Sequence, residues 1–347
     1  MRVLVIPFIY LLLFITYISC ENDEEETFPL HMPSVQPLVE DAYLCTSFRV
    51  PRDSNRFITE FLPNATKQRV HHMLIYGCQV PGYYERDTPR VIWDCGEMSA
   101  SRSSMRKAGT CRGQSQILYA WAMDAPKLAL PEGVGFKIGP DTGVDFLVLQ
   151  VHYATIEPFK NGERDSSGIV LNMLPGDTNK ITRRAGVLLL GTSGRIPADS
   201  YEHMETTCRI REPLELHPFA FRTHTHKLGK VVSGWMIRDN TWTLIGKHNP
   251  QLPQMFYPVE NKSLTIKEND VVAARCTMDN YLNHAVSVGP TGDDEMCNFY
   301  MMYYVEGNKI LSNQYCFSFG PPFYYWKNDI DLNFNVPGDI DKEASTL

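Results

Sequence analysis

Two histidines alternate in Phe221-Arg222-Thr223-His224-Thr225-His226-Lys227-Leu228-Gly229-Lys230, a segment that runs into the β-branched pair Val231-Val232. On a strand, residues two apart share a face, so His224 and His226 would present both imidazoles to one side, with Arg222 beside them. Such a face could hold one metal ion next to a fixed cation. Alternating histidines are more often part of a hydrogen-bonded face, so the motif takes its weight from three other segments.

The first is Val70-His71-His72-Met73-Leu74, an apolar stretch in which neighbouring histidines could share an ion only where the strand twists, bulges or ends. The second is Leu149-Gln150-Val151-His152-Tyr153. There Phe146, Val148, Gln150 and His152 alternate on one face, and burying the Gln and the His requires partners or a metal. The third is Asp293-Asp294-Glu295-Met296-Cys297-Asn298-Phe299-Tyr300, where Met296 adjoins a cysteine. Methionine is usually core filler, but a thioether beside imidazoles is also a soft donor.

Cysteine usage narrows the metal. The chain has nine cysteines; Cys20 falls in an apparent leader, which leaves Cys45, Cys78, Cys95, Cys111, Cys208, Cys276, Cys297 and Cys316. An even number without Cys-x-x-Cys pairs, in an exported chain, reads as disulfides rather than zinc. The eight fall into two groups of four, leaving three connectivities within each group. With the thiols so used and no His-Glu-x-x-His motif, imidazoles plus one thioether point to copper, and hence to redox chemistry.

The elements that must position these residues read as strands. Phe57–Phe61, Val70–Tyr76, Ile117–Ala122, Phe136–Ile138 and Asp145–Ala154 are short, rich in β-branched and aromatic residues, and separated by turn formers. Ala185–Leu190, Ala220–Trp235, Thr241–Gly246, Val271–Arg275 and Asn298–Tyr304 repeat the texture. The fold class expected is all-β, with antiparallel sandwiches in two domains, at 41–175 and 183–325, broken at Leu174–Lys180. Residues 1–20 read as a signal peptide, 21–40 as an irregular arm and 326–347 as an irregular tail. The leader's apolar run is short for a membrane span, and no second long one follows. Net charge is −7, or −8 once the leader's Arg2 is removed, which argues against nucleic acid as a partner. Asn64-Ala65-Thr66 and Asn261-Lys262-Ser263 are glycosylation acceptors suited to a secreted or secretory-granule protein.

Taken together, His71-His72-Met73, Gln150-Val151-His152-Tyr153, the segment from His224 to Gly234 and Asp294-Glu295-Met296-Cys297-Asn298 closely resemble the peptidylglycine α-hydroxylating monooxygenase family. So do Gly246-Lys247-His248-Asn249-Pro250-Gln251-Leu252-Pro253-Gln254 and Phe256-Tyr257-Pro258-Val259-Glu260. The resemblance runs from about Tyr43 to Cys316. It implies two jelly-roll-like β-sandwich domains, each with one copper, facing each other across a solvent-accessible cleft. His71, His72 and His152 would hold the electron-supplying copper, and His224, His226 and Met296 the copper where oxygen reacts. Ascorbate would reduce both, and O2 would be the co-substrate for hydroxylating the α-carbon of a peptide's C-terminal glycine. Arg222 is placed to clamp the peptide carboxylate bidentately. Tyr300 and Asn298 match positions that hydrogen-bond the peptide, Gln150 matches a polar residue between the sites, and His217 could support the ligand histidines.

The resemblance also implies disulfides from Cys45 to Cys95, Cys78 to Cys111, Cys208 to Cys316 and Cys276 to Cys297. A further disulfide common in the family has no counterpart near Asp165-Ser166-Ser167-Gly168, and Glu97–Thr110 reads as a long basic surface loop. The chain leaves no room for a lyase domain, so amide release is expected to need a separate protein. Two other readings are a dopamine β-monooxygenase-like enzyme acting on small amines and a noncatalytic copper-binding or adhesive sandwich. The second of these would need neither Met296 nor the Arg222 clamp.

Overall fold

The computed structural model describes residues 24–83, 91–96, 104–289 and 291–347. The expected signal peptide and residues 97–103 of the expected surface loop lie outside the described residues. Nearly every regular element is a strand, and the strands form antiparallel sheets with only short parallel pairings. No helix among the described residues is long and apolar enough to cross a membrane.

In the first half, five strands lie in the order Ile92–Asp94, Ala42–Arg49, Phe146–Tyr153, His72–Cys78 and Ser115–Ala122. Phe146–Tyr153 is central and buried along its whole length, which accounts for its nearly unbroken apolar sequence. Burial of that strand carries Gln150 and His152 into the interior. A second sheet starts with Glu26–His31, Gly168–Pro175, Arg56–Asn64 and Val134–Ile138, and Leu30, Phe61, Phe136 and Leu171 close the first core from that side.

This second sheet continues into the other half of the chain through Arg183–Thr192, Asn298–Glu306, His217–His224 and Tyr257–Pro258, with Tyr315–Ser318 pairing in parallel along Arg183–Thr192. The join is a short parallel bridge of Arg183 and Arg184 with Val134 and Gly135. A four-stranded sheet, Ser200–Arg209, Val271–Asn280, Gly229–Arg238 and Thr241–His248, closes the second core around Phe299, Met301, Val232 and Val272. Disulfides join Cys45 to Cys95, Cys78 to Cys111, Cys208 to Cys316 and Cys276 to Cys297.

Three expectations need correction. The arm at 21–40 is not irregular throughout, because Glu26–His31 forms a strand that pairs with Gly168–Pro175 at the sheet edge. The tail at 326–347 contains a 3-10 turn at Trp326–Asn328 and a helix at Gly338–Glu343. Its acidic residues mask widely spaced apolar ones: Trp326, Leu332, Ile340 and Ala344 pack on Trp235 and Ala273. Buried Arg275 pairs with Glu205 and donates to the Asp341 carbonyl at 2.8 Å, fastening the tail to the sheet. Finally, the expected strand Ala220–Trp235 is two strands, His217–His224 and Gly229–Arg238, with a turn between them. Gly229 permits that turn, since a Cβ there would lie 2.1 Å from the Thr225 hydroxyl.

Candidate active site

The candidate ligands gather where the two halves meet. In the first half, His72 opens its strand and stands directly across the ladder from His152. His71 lies one residue before that strand, so the rule that neighbours face opposite ways does not bind it. Its Nδ1 lies 3.2 Å from the Nδ1 of His72 and 3.2 Å from that of His152. Two imidazoles bound to one ion through bonds of about 2.0–2.1 Å would have their nitrogens roughly 3–4 Å apart. Each of the three side chains offers one ligand nitrogen, all within 4.8 Å of one another, so the cluster could hold a single metal ion.

The second contacts of these rings fix their orientation. His152 directs its Nε2 to the Asp41 carboxylate at 3.1 Å and stacks on Tyr43 with centroids 4.0 Å apart, which turns Nδ1 toward the other two rings. The hydrogen bond to His152 holds Asp41 below the usual carboxylate range. Burial, reinforced by the neighbouring imidazoles, lowers His71 to about 4 and His72 well below its ordinary value. The rings are thus neutral, which is the state that donates a lone pair.

In the second half, His224 is the last residue of its strand and His226 sits in the turn beyond it, with centroids 5.4 Å apart. His224 donates from Nδ1 to Gln254 Oε1 at 2.6 Å, and His226 donates from Nδ1 to the Asp294 carbonyl at 2.9 Å. Both Nε2 atoms are then acceptors, and that of His226 is buried without a hydrogen-bond partner. Met296 is buried and lines the same cavity as His224. An orphaned imidazole nitrogen, a second anchored imidazole and a nearby thioether are a donor set that suits copper.

Two residues without a role in the sequence reading brace this set. The Glu295 carboxylate accepts backbone N–H groups from His226 at 2.8 Å, Leu228 at 2.8 Å and Met296 at 3.0 Å, tying the histidine turn to the methionine. Gln254 donates to the carbonyls of Thr225 and Pro250 and accepts from both His224 and Arg222. Gln254 closes the quoted Gly246–Gln254 motif, and a buried glutamine in a Pro-rich loop is the one signal that could have drawn attention to it. Glu295 and Asp41 carried no such signal.

Arg222 and Tyr300 face each other across the ladder, as do His224 and Asn298 one repeat further along. The Arg222 guanidinium is 5.1 Å from the Tyr300 ring centroid and donates to the Gln254 carbonyl at 2.9 Å. All four residues line a cavity of about 350 Å3 together with His72, Met296, Leu74, Ile117 and Leu189. Gln150 does not line that cavity. It is fully buried behind it, with its Oε1 3.5 Å from the Tyr76 hydroxyl. His217 is also remote, at the far end of its strand and stacked on Tyr304.

The two donor sets lie close to each other across this cavity. The rings of His72 and His224 have centroids 5.9 Å apart and those of His71 and His226 6.4 Å, so the sets meet ring to ring. The acceptor asparagines Asn64 and Asn261 are both exposed.

Comparison with known proteins agrees with the geometry. The profile for the copper type II ascorbate-dependent monooxygenase N-terminal domain matches residues 28–160, and that for the C-terminal domain matches 183–329. The chain is 38% identical over 319 residues to peptidyl-glycine alpha-amidating monooxygenase A of Xenopus laevis, covering 91% of this chain and 32% of that protein. To peptidylglycine alpha-amidating monooxygenase of Rattus norvegicus it is 38% identical over 311 residues, covering 89% and 30%. To dopamine beta-hydroxylase of Homo sapiens it is 29% identical over 301 residues, covering 80% and 46%. The chain therefore spans about a third of the length of the amidating relatives.

Proposed function

Since the chain belongs to the copper type II ascorbate-dependent monooxygenase family, we propose that it hydroxylates the α-carbon of a C-terminal glycine in peptides. Two coppers, one held by His71, His72 and His152 and the other by His224, His226 and Met296, would supply one-electron chemistry toward O2, with ascorbate as reductant.

The observation that carries this reading is the pairing of Arg222 and Tyr300 beside His224 and Asn298 on two adjacent strands. Successive side chains on one strand face are about 7 Å apart. A peptide carboxylate paired with the Arg222 guanidinium therefore leaves its terminal glycine on the His224 side. Bidentate pairing fixes the direction of approach as well as the distance. Gln254 holds Arg222 and His224 in mutual register, and Asn298 and Tyr300 offer polar groups to the peptide. Burial of the cavity strengthens each of these contacts relative to water.

The dopamine beta-hydroxylase relative makes a small amine the second reading. A buried guanidinium at the cavity end repels a cationic amine and attracts a carboxylate, which favours the peptide. The four disulfides suit the oxidising compartments of the secretory pathway, consistent with a secreted or granule-lumen protein. The test compares one peptide ending in free glycine with its amidated form and with tyramine. The free acid should bind at least about tenfold more tightly than the amide, a modest share of what a buried charge pair contributes. Equal binding of acid and amide, or preference for tyramine, would overturn the assignment.

A further inference from the structure

The cavity wall opposite the first donor set is a four-strand surface with two rows of side chains. One row runs Arg222, Tyr300, Leu189, Tyr315 and the other His224, Asn298, Gly191, Phe317, each residue facing the next across the ladder. Residues two apart on a strand share a face, so both rows look the same way. Apart from Gly191, every member lines the cavity. The polar ends of the rows already have an account, in the carboxylate clamp and the second donor set. The aromatic ends do not.

Phe317 is 56% exposed, yet its position is defined. A Cβ on Gly191 would come 2.6 Å from its Cε1 and 2.8 Å from Asn298 Oδ1, so the ring lies over the glycine and leans toward Asn298. Tyr315 stacks beside it with centroids 6.4 Å apart. The Tyr315 hydroxyl is within 2.9 Å of Ser115 Oγ and donates to the Ser115 carbonyl at 3.1 Å, which pins that ring to the first half of the chain. Two fixed rings thus stand at the cavity mouth, open to solvent on one side and joined to Leu189 on the other.

We propose that Tyr315 and Phe317 form an aromatic platform that reads the side chain preceding the terminal glycine, selecting peptides with an aromatic residue there. This deepens the hydroxylase reading and rests on it. Strands lie about 4.8 Å apart, which puts the Tyr315 backbone about 14 Å from that of Arg222. One residue spans at most about 3.6 Å, so with the carboxylate on Arg222 the preceding side chain leaves the chain above Leu189 and Gly191. A large planar side chain then ends on the two rings, where offset or edge contact adds to the area it buries. A small or acidic one leaves them exposed.

The experiment measures N-acetyl-Phe-Gly, N-acetyl-Ala-Gly and N-acetyl-Asp-Gly against the copper-loaded full chain, by kcat/KM and by calorimetric binding. In the wild-type protein Phe-Gly should exceed Ala-Gly by at least about tenfold, within the range a hydrophobic subsite discriminates. Phe317→Ala should cut that ratio about tenfold through KM, and Phe317→Leu should cut it by less. Tyr315→Phe, which retains the ring, should keep most of it. A ratio unchanged in Phe317→Ala, or Phe-Gly and Ala-Gly falling together, would overturn the platform. Selective binding of Phe-Gly that Phe317→Ala abolishes, without turnover of any peptide, would uphold the platform and refute the hydroxylase. Absence of binding by all three peptides would overturn both.

Discussion

Gln254 Oε1 accepts the Nδ1 proton of His224 at 2.6 Å and, at 3.1 Å, a proton from Arg222. One amide oxygen thus sets the tautomer of a candidate metal ligand and the orientation of the candidate carboxylate clamp. Gln254→Leu keeps a side chain of similar bulk but leaves a buried guanidinium and a buried imidazole short of an acceptor. Losses of metal affinity at the His224 site of about 10- to 100-fold are expected, the usual effect of removing such a partner. Copper titration checks this, with the His71, His72 and His152 site binding as before.

Glu295 links the turn that carries His226 to the backbone of Met296 through three amide donors. Glu295→Ala strands those donors in the interior at about 1–3 kcal/mol apiece, so a destabilisation of roughly 3 kcal/mol or more is expected. Denaturant unfolding of the copper-free protein measures it. A loss below about 1 kcal/mol would mean that water replaces the carboxylate and that the brace is not structural.

Met296→Ile is close to volume-conserving, so the fold should lose less than about 1.5 kcal/mol. The thioether donor is removed with it. Copper K-edge absorption of the reduced protein should then show no sulfur neighbour, where the wild-type protein shows one. Persistence of a sulfur signal in the variant would remove Met296 from the donor set.

The disulfide Cys276–Cys297 closes a loop of 21 residues next to Met296. Replacing both cysteines with alanine should cost about 3 kcal/mol by the chain-entropy argument. The account further expects weaker copper retention at the His224 site than at the His71 site. Equal retention at the two sites would assign the bridge to stability alone.

Strand positions were legible from the sequence because apolar, β-branched runs such as Phe146–Tyr153 are central strands buried on both faces. The histidines and Met296 were legible as residue types, and the family resemblance grouped them. What the sequence hid depends on contacts between distant segments. Ala220–Trp235 reads as one strand because the tight turn at Gly229 is set by crowding with Thr225, which no local pattern announces. Trp326 and Ile340 are spaced too widely, and among too many acids, to read as a core face. Gln150 was expected near the substrate because the family resemblance matches it to a polar residue between the sites, but central-strand burial places it in the wall. The ring-to-ring meeting of His72 with His224 follows from how the halves pack, which neither motif encodes.

The most direct measurement supplies the purified chain, loaded with copper, with a dansylated peptide ending in glycine, together with ascorbate and O2, and weighs the product. The account predicts a peptide that has gained one oxygen atom at the terminal glycine, drawn from O2, with no reaction when the terminal carboxylate is amidated. Full copper loading at both donor sets with no oxygen incorporated into the glycine would contradict it.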